Sequence, residues 1–492
     1  MITGLGRDFF MAGHCLSITA PRWASRAVAA SLYVSGLGLL AAARPAVAET
    51  LYDAFDQAYA SNPVLGAERV AVRISAQDKA IARTGFAPAL TATSDYGYRD
   101  QKGSAPGNPT TELVSHPRGY GATLSQNLWN GFKTSNSVAR ENASLDAARD
   151  DLRNTEQKVL VDVATSYADV IRDRAILELR RADVEVFAAR TQQTRFQFQI
   201  GAMTRTDVDQ SDASLAHSQA DLAVATTNLD ASCAAYRSVV GRDPGRLVAA
   251  AVPQKLLPPD LGSALAIAQS DHPAVRAALN AVKAAEFNVD VEKGGYAPSL
   301  DLTASADRRW DPDFYPAKTD LSEVSVVGRL SFPIYDRGLT SASVHRANEV
   351  TSQRLLQLDN QRAQVRANLV QSWGLYAAAR TVIASADAQI AASDRALYGV
   401  QLEATAGQRT TFDVLTAQRT LTDARVNREV AQHDRIIAGY KLLASVGRLS
   451  LGLMTAADTR GAEPAGLARR ARPKPPPVLP GLLAELPLRP GF

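Results

Sequence analysis

Cysteine is nearly absent from this 492-residue chain: there are two, Cys15 and Cys233. Cys15 falls in a segment expected to be removed, so the mature chain is expected to hold one thiol and no intrachain disulfide. No Cys follows the first apolar run, which argues against a lipid-modified N-terminus. After residue 43 no stretch approaches the ~20 apolar residues that a membrane helix needs. The mature chain is therefore either soluble or crosses a membrane as a β-barrel. Aromatic residues make up only 6%, and the apolar fraction is rich in Ala, which suits close helix–helix packing better than a bulky globular core. Lys+Arg 54 against Asp+Glu 50 leaves a net charge of +4, spread along the chain. That gives no nucleic-acid footprint.

Catalytic constellations are missing too. There is no Gly-x-x-x-x-Gly-Lys phosphate loop, no His-Glu-x-x-His and no Gly-x-Ser-x-Gly. The six histidines (14, 116, 217, 272, 345, 433) lack metal-ligand spacing. His217 and His433 sit on long helical patterns and are expected to face solvent or a neighbour. The pair Asp150-Asp151 is expected to be solvated helix surface. No enzyme, metal or cofactor is expected.

What is present begins with a leader. Arg22 and Arg26 precede the apolar run "AVAASLYVSGLGLLAAA" (27–43), and Ala46-Val47-Ala48 forms an A-x-A site before Glu49. Residues 1–48 are expected to be a secretory signal peptide. Translation starts at either Met1 or Met11.

An internal duplication organises the rest. Asn62-Pro63 matches His272-Pro273, and "GFAPAL" (85–90) matches "GYAPSL" (295–300), both 210 residues apart. Past the first strands the offset becomes 206: Tyr167 matches Trp373, and "VVGR" (239–242) matches "SVGR" (445–448). Repeat 1 spans 49–241 and repeat 2 spans 261–452. The segment 242–260 joins them, and 453–492 is a Pro-rich tail expected to lack order.

Each repeat follows one grammar. A short helix leads to Pro63 or Pro273, placed at the first turn of the next helix. The period then changes from helical to two. Leu90, Ala92, Tyr96 and Tyr98 oppose Thr91, Thr93, Asp95 and Arg99; Leu300, Leu302, Ala304 and Ala306 oppose Asp301, Thr303, Ser305 and Asp307. Their partner strands alternate likewise, through Tyr120, Ala122 and Leu124 and through Val324, Val326 and Leu330. One β-hairpin per repeat is expected, over 88–128 and 298–335, with loops at 100–119 and 310–320. Ten-residue strands with one apolar and one polar face fit transmembrane β-strands. Four strands cannot close a barrel, so the chain must oligomerise. Long helical hairpins follow, over 131–241 and 338–448. Their ~70-residue first arms would each span about 100 Å. In the returning arm Val208, Leu215, Leu222, Leu229 and Tyr236 recur every seven residues, a coiled-coil seam. The matching arm keeps Val414, Leu421, Ile437 and Leu443.

The two long hairpins break at one shared motif, Gly-x-x-Thr-x-x-Asp-Val: "GAMTRTDV" (201–208) and "GQRTTFDV" (407–414). Gly201 and Gly407 suit helix ends. Thr204 and Thr410 can cap the returning helices, and Asp207 and Asp413 complement their positive N-termini.

Over roughly residues 50–450 the chain resembles the TolC family of outer-membrane efflux and type I secretion channels. The resemblance rests on the leader, the duplication, "APxL", "SFPIYDRG" (331–338) and the paired breaks. It implies a homotrimer in the outer membrane of a Gram-negative cell. The fold would be mainly α, with a twelve-stranded β-barrel in lipid continuous with a long periplasmic α-helical barrel. It also implies a periplasmic adaptor (membrane fusion) protein and an inner-membrane ABC or proton-driven transporter as partners, with no nucleic acid. By the same resemblance Asp413 faces the pore, where three copies make an acidic selectivity ring. Thr416 stands where relatives often place a second acid. Arg409 would latch the second turn to positions Thr206 and Asp207 of the first, while Ala404 replaces an aromatic latch partner. Gly201, Thr204, Gly407 and Thr410 mark the hairpin tips where the adaptor would dock. The cargo is unspecified. A stand-alone outer-membrane porin and a soluble periplasmic coiled-coil scaffold remain the alternatives.

Overall fold

The computed structural model describes residues 49–103, 111–310 and 320–458. The expected signal peptide lies outside them, as does most of the expected tail.

The duplication is visible as matched elements. In the first repeat α1 (Leu51–Ser61) and α2 (Pro63–Thr84) precede the strands. The long helix α3 (Lys133–Gln199, 67 residues) and its return α4 (Arg205–Val240, 36 residues) follow. In the second repeat α5 (Leu261–Asp271) and α6 (Pro273–Lys293) precede, and α7 (Leu339–Thr405) and α8 (Thr411–Val446) follow with the same 67 and 36 residues. A last helix, α9 (Leu451–Asp458), runs five residues past the point where the Pro-rich tail was expected to begin. Pro63 and Pro273 both occupy the first helical turn, behind the caps Asn62 and His272. There the missing N–H costs nothing.

Four strands form one antiparallel sheet in the order β1 (Ala89–Tyr96), β4 (Arg118–Trp129), β5 (Ser299–Trp310) and β6 (Asp320–Ser331). The register puts Leu90, Leu124, Ala304 and Val326 in one row across the sheet, and Ala92, Ala122, Ala306 and Val324 in the next. All have even numbers, so all share one face. That face is bare: Leu90 is 72% exposed, Val324 82% and Leu330 68%. The opposite face carries Thr91, Thr93, Thr303, Ser305 and Asp307. The loop expected over 100–119 needs correction. It contains a two-stranded ribbon, β2 (Arg99–Gly103) with β3 (Thr111–Ser115).

The main core lies where α1, α3, α4 and α8 meet, around Phe55, Tyr167, Tyr236, Tyr440 and Leu443. Three fully buried tyrosines each need a hydroxyl partner. The Tyr167 hydroxyl shares its one hydrogen between the Val248 and Glu49 carbonyls (2.7 and 2.8 Å), and Tyr440 donates to the Ala251 carbonyl at 3.0 Å. Tyr236 donates to the buried Glu49 carboxylate, which also takes Arg242 Nη2 at 2.7 Å and the Gly245 N–H at 3.2 Å. The segment joining the repeats is therefore stitched into the core. A second cluster, with Val282, Leu358, Leu369 and Leu442, packs α6 and α7 against α8.

The coiled arms carry a device not read from the sequence. In α4 the buried positions Ser211, Ser218, Ala225 and Ser232 recur every seven residues, three after each seam residue. Their counterparts 206 residues on are Ala417, Ala424, Ala431 and Ala438; the last three are buried in α8 and Ala417 is half-buried. Small residues at alternate seam positions let the backbones approach closely.

One expectation about charged residues is overturned, at Asp150, while His433 faces a neighbouring helix rather than solvent. His433 is 9% exposed, with Nε2 2.7 Å from Asp169 and Nδ1 2.9 Å from Asp434. Asp150 is 2% exposed and is held by Arg153 at 2.8 Å and Asn280 at 3.1 Å. Each is paired across to another helix, which offsets the cost of burying charge. Asp151 does face solvent.

Candidate functional site: the paired hairpin tips

The shared motif stops one helix and starts the next. At the first tip the Gly201 N–H bonds the Phe198 carbonyl (3.0 Å) and the Ala202 N–H bonds the Gln197 carbonyl (2.8 Å). At the second tip Gly407 bonds Ala404 (3.1 Å) and Gln408 bonds Glu403 (2.8 Å). Both are Schellman stops, and both glycines are left-handed, φ 78° and 76°; there a side chain is strained.

Three residues later each return helix opens on a capping box. The Asp207 N–H donates to Thr204 Oγ1 (3.2 Å), while Asp207 Oδ2 accepts from the Thr204 N–H (2.9 Å) and hydroxyl (2.6 Å). Asp413 and Thr410 repeat this with 3.2, 2.9 and 2.9 Å. The box uses Asp where Glu is commoner. Hydrogen bonds from the Thr410 N–H and hydroxyl, then the Arg409 charge, hold the Asp413 carboxyl below its ordinary range. It is ionised at any physiological pH.

The expected residues fall into two groups. Gly201, Thr204, Thr206 and Asp207 share the first tip; Gly407, Arg409, Thr410 and Asp413 share the second. The tips lie side by side, since the Thr411 hydroxyl meets Met203 Sδ at 3.8 Å. The expected latch pair is not formed within the chain. Arg409 Nε instead meets Glu403 Oε2 of its own hairpin at 2.9 Å, which raises the guanidinium pKa further. Thr206 is exposed and makes no side-chain hydrogen bond among the described residues. Glu403 was missed by sequence reading. The signal was there: it lies six residues before Arg409, spanning the glycine turn.

Above the tips the arms are tied by charge. Arg180 of α3 reaches Asp221 of α4 (3.5 Å) and Asp423 of α8 (3.1 Å). Buried Asp183 accepts from the Thr422 hydroxyl at 2.7 Å.

A duplicated pair of ~100 Å helical hairpins, joined to a sheet whose apolar face is bare, defines a membrane-anchored helical conduit subunit. Residues 54–242 and 264–448 match the family described as outer membrane efflux protein. The chain belongs to that family of transport channels, and it resides in the outer membrane with its helices in the periplasm. It is 35% identical over 434 residues to the outer membrane efflux protein BepC of Brucella suis biovar 1, covering 87% of this chain and 92% of that one. With the outer membrane protein TolC of Vibrio cholerae identity is 27% over 436 residues, covering 85% and 95%. The crystal structure of the Campylobacter jejuni CmeC outer membrane channel shares the fold. Its TM-score is 0.71 at 15% identity, over 84% of this chain and 90% of that one.

Proposed function

We propose that three copies of this chain form the exit duct of a tripartite export system, passive in itself and driven by an inner-membrane transporter. One observation carries this reading. The sheet has two open edges, β1 and β6, beneath a bare apolar face. Unpaired strand edges are not tolerated in lipid. Three antiparallel steps separate β1 from β6, so these edges run in opposite directions. Copies related by rotation therefore join β6 to the next β1 antiparallel. Three copies give twelve strands, enough for an open lumen.

In this arrangement the long hairpins line up as a periplasmic barrel with the tips at its mouth. Three Asp413 carboxylates ring the pore, each offering the oxygen its cap leaves free, and bind cations. Arg409 latches onto Thr206 and Asp207 as the mouth closes, exchanging Glu403 for them. The exposed turns, with Gly201, Thr204, Gly407 and Thr410, take the adaptor. The cargo is a protein substrate of type I secretion or a small molecule of efflux.

Disulfide trapping tests the assembly. In a Cys233→Ser background, Thr93→Cys on β1 is combined in turn with Glu323→Cys, Ser325→Cys and Val327→Cys on β6. One register yields a covalent ladder ending at three chains. A ladder ending at two, or none with any pair, refutes the trimer.

A further inference from the structure

The even-numbered face of the sheet changes character at its far end. Moving away from the helices, its last two rows read Ser94, Tyr120, Arg308, Ser322 and then Tyr96, Arg118, Trp310, Asp320. Here two guanidiniums flank one indole. Arg308 Cζ lies 5.1 Å and Arg118 Cζ 5.9 Å from the Trp310 ring centroid, and Tyr120 tilts against the same ring at 5.6 Å. Arg308 gives Nη2 and Nε to Asp320 at 2.9 and 3.4 Å. Arg118 has no carboxylate partner among the described residues.

We infer that this rim binds the phosphate groups of a negatively charged outer-leaflet lipid, with Arg118 and Arg308 as the cationic contacts and Trp310 and Tyr120 as their platform.

Three features favour that occupant. The first is height. From Leu300 to Trp310 the strand spans about 34 Å, or about 26 Å at a barrel tilt near 40°. Apolar bands of membrane barrels are about 25 Å tall, so the cluster falls at a headgroup level. Phe86, Phe332 and Tyr335, all exposed, stand at the other end of the band. The second is continuity. Ala122, Ala306 and Val324 lie directly beneath the cluster on the same face, so an occupant meets apolar surface below and cations above. A soluble anion would use only the upper part. The third is chemistry. Stacking engages the flat face of the Arg118 guanidinium and leaves its N–H edge free, and such an edge matches phosphate bidentately; Arg308, whose Nε and Nη2 point to Asp320, offers phosphate its remaining N–H groups. Arg on the lipid face is costly at mid-membrane and nearly free near an interface, so cations are tolerated only where headgroups are.

The inference rests on the proposed function, in that the even face must meet lipid. Detergent-purified wild type is exchanged into nanodiscs of neutral phosphatidylcholine doped with rough-type lipopolysaccharide, and co-purifying glycolipid is counted by native mass spectrometry. Wild type should retain it, and Arg118→Gln/Arg308→Gln should retain at least tenfold less. Arg329→Gln, on the opposite face, should match wild type. Equal retention by the double variant and wild type overturns the inference. Should the double variant not assemble, wild type offered enzymatically dephosphorylated glycolipid gives the answer. A tenfold fall supports the site, and equal retention overturns it. A spin label at Val324→Cys separates the two levels. If its relaxation shows water rather than acyl chain, the lipid-facing reading fails. Acyl contact without phosphate preference defeats the inference alone.

Discussion

The junction from the sheet into each long helix uses two consecutive left-handed residues, and the repeats place their glycine differently. In the first repeat these are Gly131 (φ 65°) and Phe132 (φ 62°); in the second they are Arg337 (φ 60°) and Gly338 (φ 81°). Gly131 is buried. A Cβ there would lie 2.5 Å from Ala297 Cβ and 2.6 Å from the Gly294 carbonyl oxygen. Neither neighbour is the end of a flexible chain, so backbone must move. At exposed Gly338 a Cβ meets nothing within 4 Å. Gly338→Ala therefore carries only the left-handed penalty, about 1–2 kcal/mol. Gly131→Ala adds overpacking of about 1–3 kcal/mol, for a sum of about 2–5 kcal/mol. Unfolding of a membrane oligomer is rate-limited, so the comparison needs one fixed heating rate in one detergent, followed by circular dichroism at the helical minimum. Gly131→Ala should unfold below Gly338→Ala, which should itself fall slightly below wild type. Equal losses at the two positions would refute the steric argument and leave only the shared dihedral.

Other expectations follow from single contacts. His272 caps α6 by accepting the Ala274 N–H at Nδ1 (3.2 Å), which requires a neutral ring; burial first, and Lys158 with it, push its pKa below the ordinary 6.5 despite a hydrogen bond with the Ala444 backbone. Its contribution is complete above about pH 6.5 and is lost as pH falls through the lowered value, costing about 0.5–2 kcal/mol of capping. His272→Asn, copying Asn62 of the first repeat, should flatten the stability profile between pH 7 and 5; an unchanged slope refutes this. Ala424 is fully buried in the small-residue seam, so Ala424→Leu should cost about 1–3 kcal/mol, whereas a thermal midpoint equal to wild type means the arms are not close-packed there. Asp413→Asn keeps an oxygen for the Thr410 cap but removes the charge, so cation block of single-channel conductance should disappear while helix content holds; persistent block excludes the acidic ring.

Much of the molecule was legible because its signals are local or repeated. The duplication showed itself through Pro63/Pro273 and the APxL pairs, whose roles in starting a helix and a strand depend only on adjacent residues. The tips were legible because Gly, Thr and Asp act on backbone within four positions. What escaped was set by distant partners or by weak side chains. Ser211, Ser218 and Ser232 carry no apolar signal, so the close-packed half of the seam was invisible beside Leu215 and Leu222. His433 is buried only because Asp169, 264 residues away, stands opposite it. The β2–β3 ribbon lay between Gly- and Pro-rich stretches that argue for loop.

The asymmetry between the tips narrows to a few positions. At the 206-residue offset Glu403 corresponds to Gln197 and Arg409 to Met203. Turn and cap chemistry are thus common to both, while the ion pair belongs to the second tip alone. The first instead presents Met203, which touches Thr411. Glu403 and Arg409 are both well exposed, with side chains 46% and 52% accessible, and solvent weakens such pairs. A pair so placed is cheap to open, as an exchangeable latch requires. Under the proposed latch, Glu403 is the competitor that holds Arg409 in reserve. Removing it by Glu403→Gln should favour the latched mouth and lower conductance, whereas Arg409→Ala should raise it. If both substitutions raise conductance, Glu403 and Arg409 act together to hold the tip closed, and the exchange mechanism is wrong.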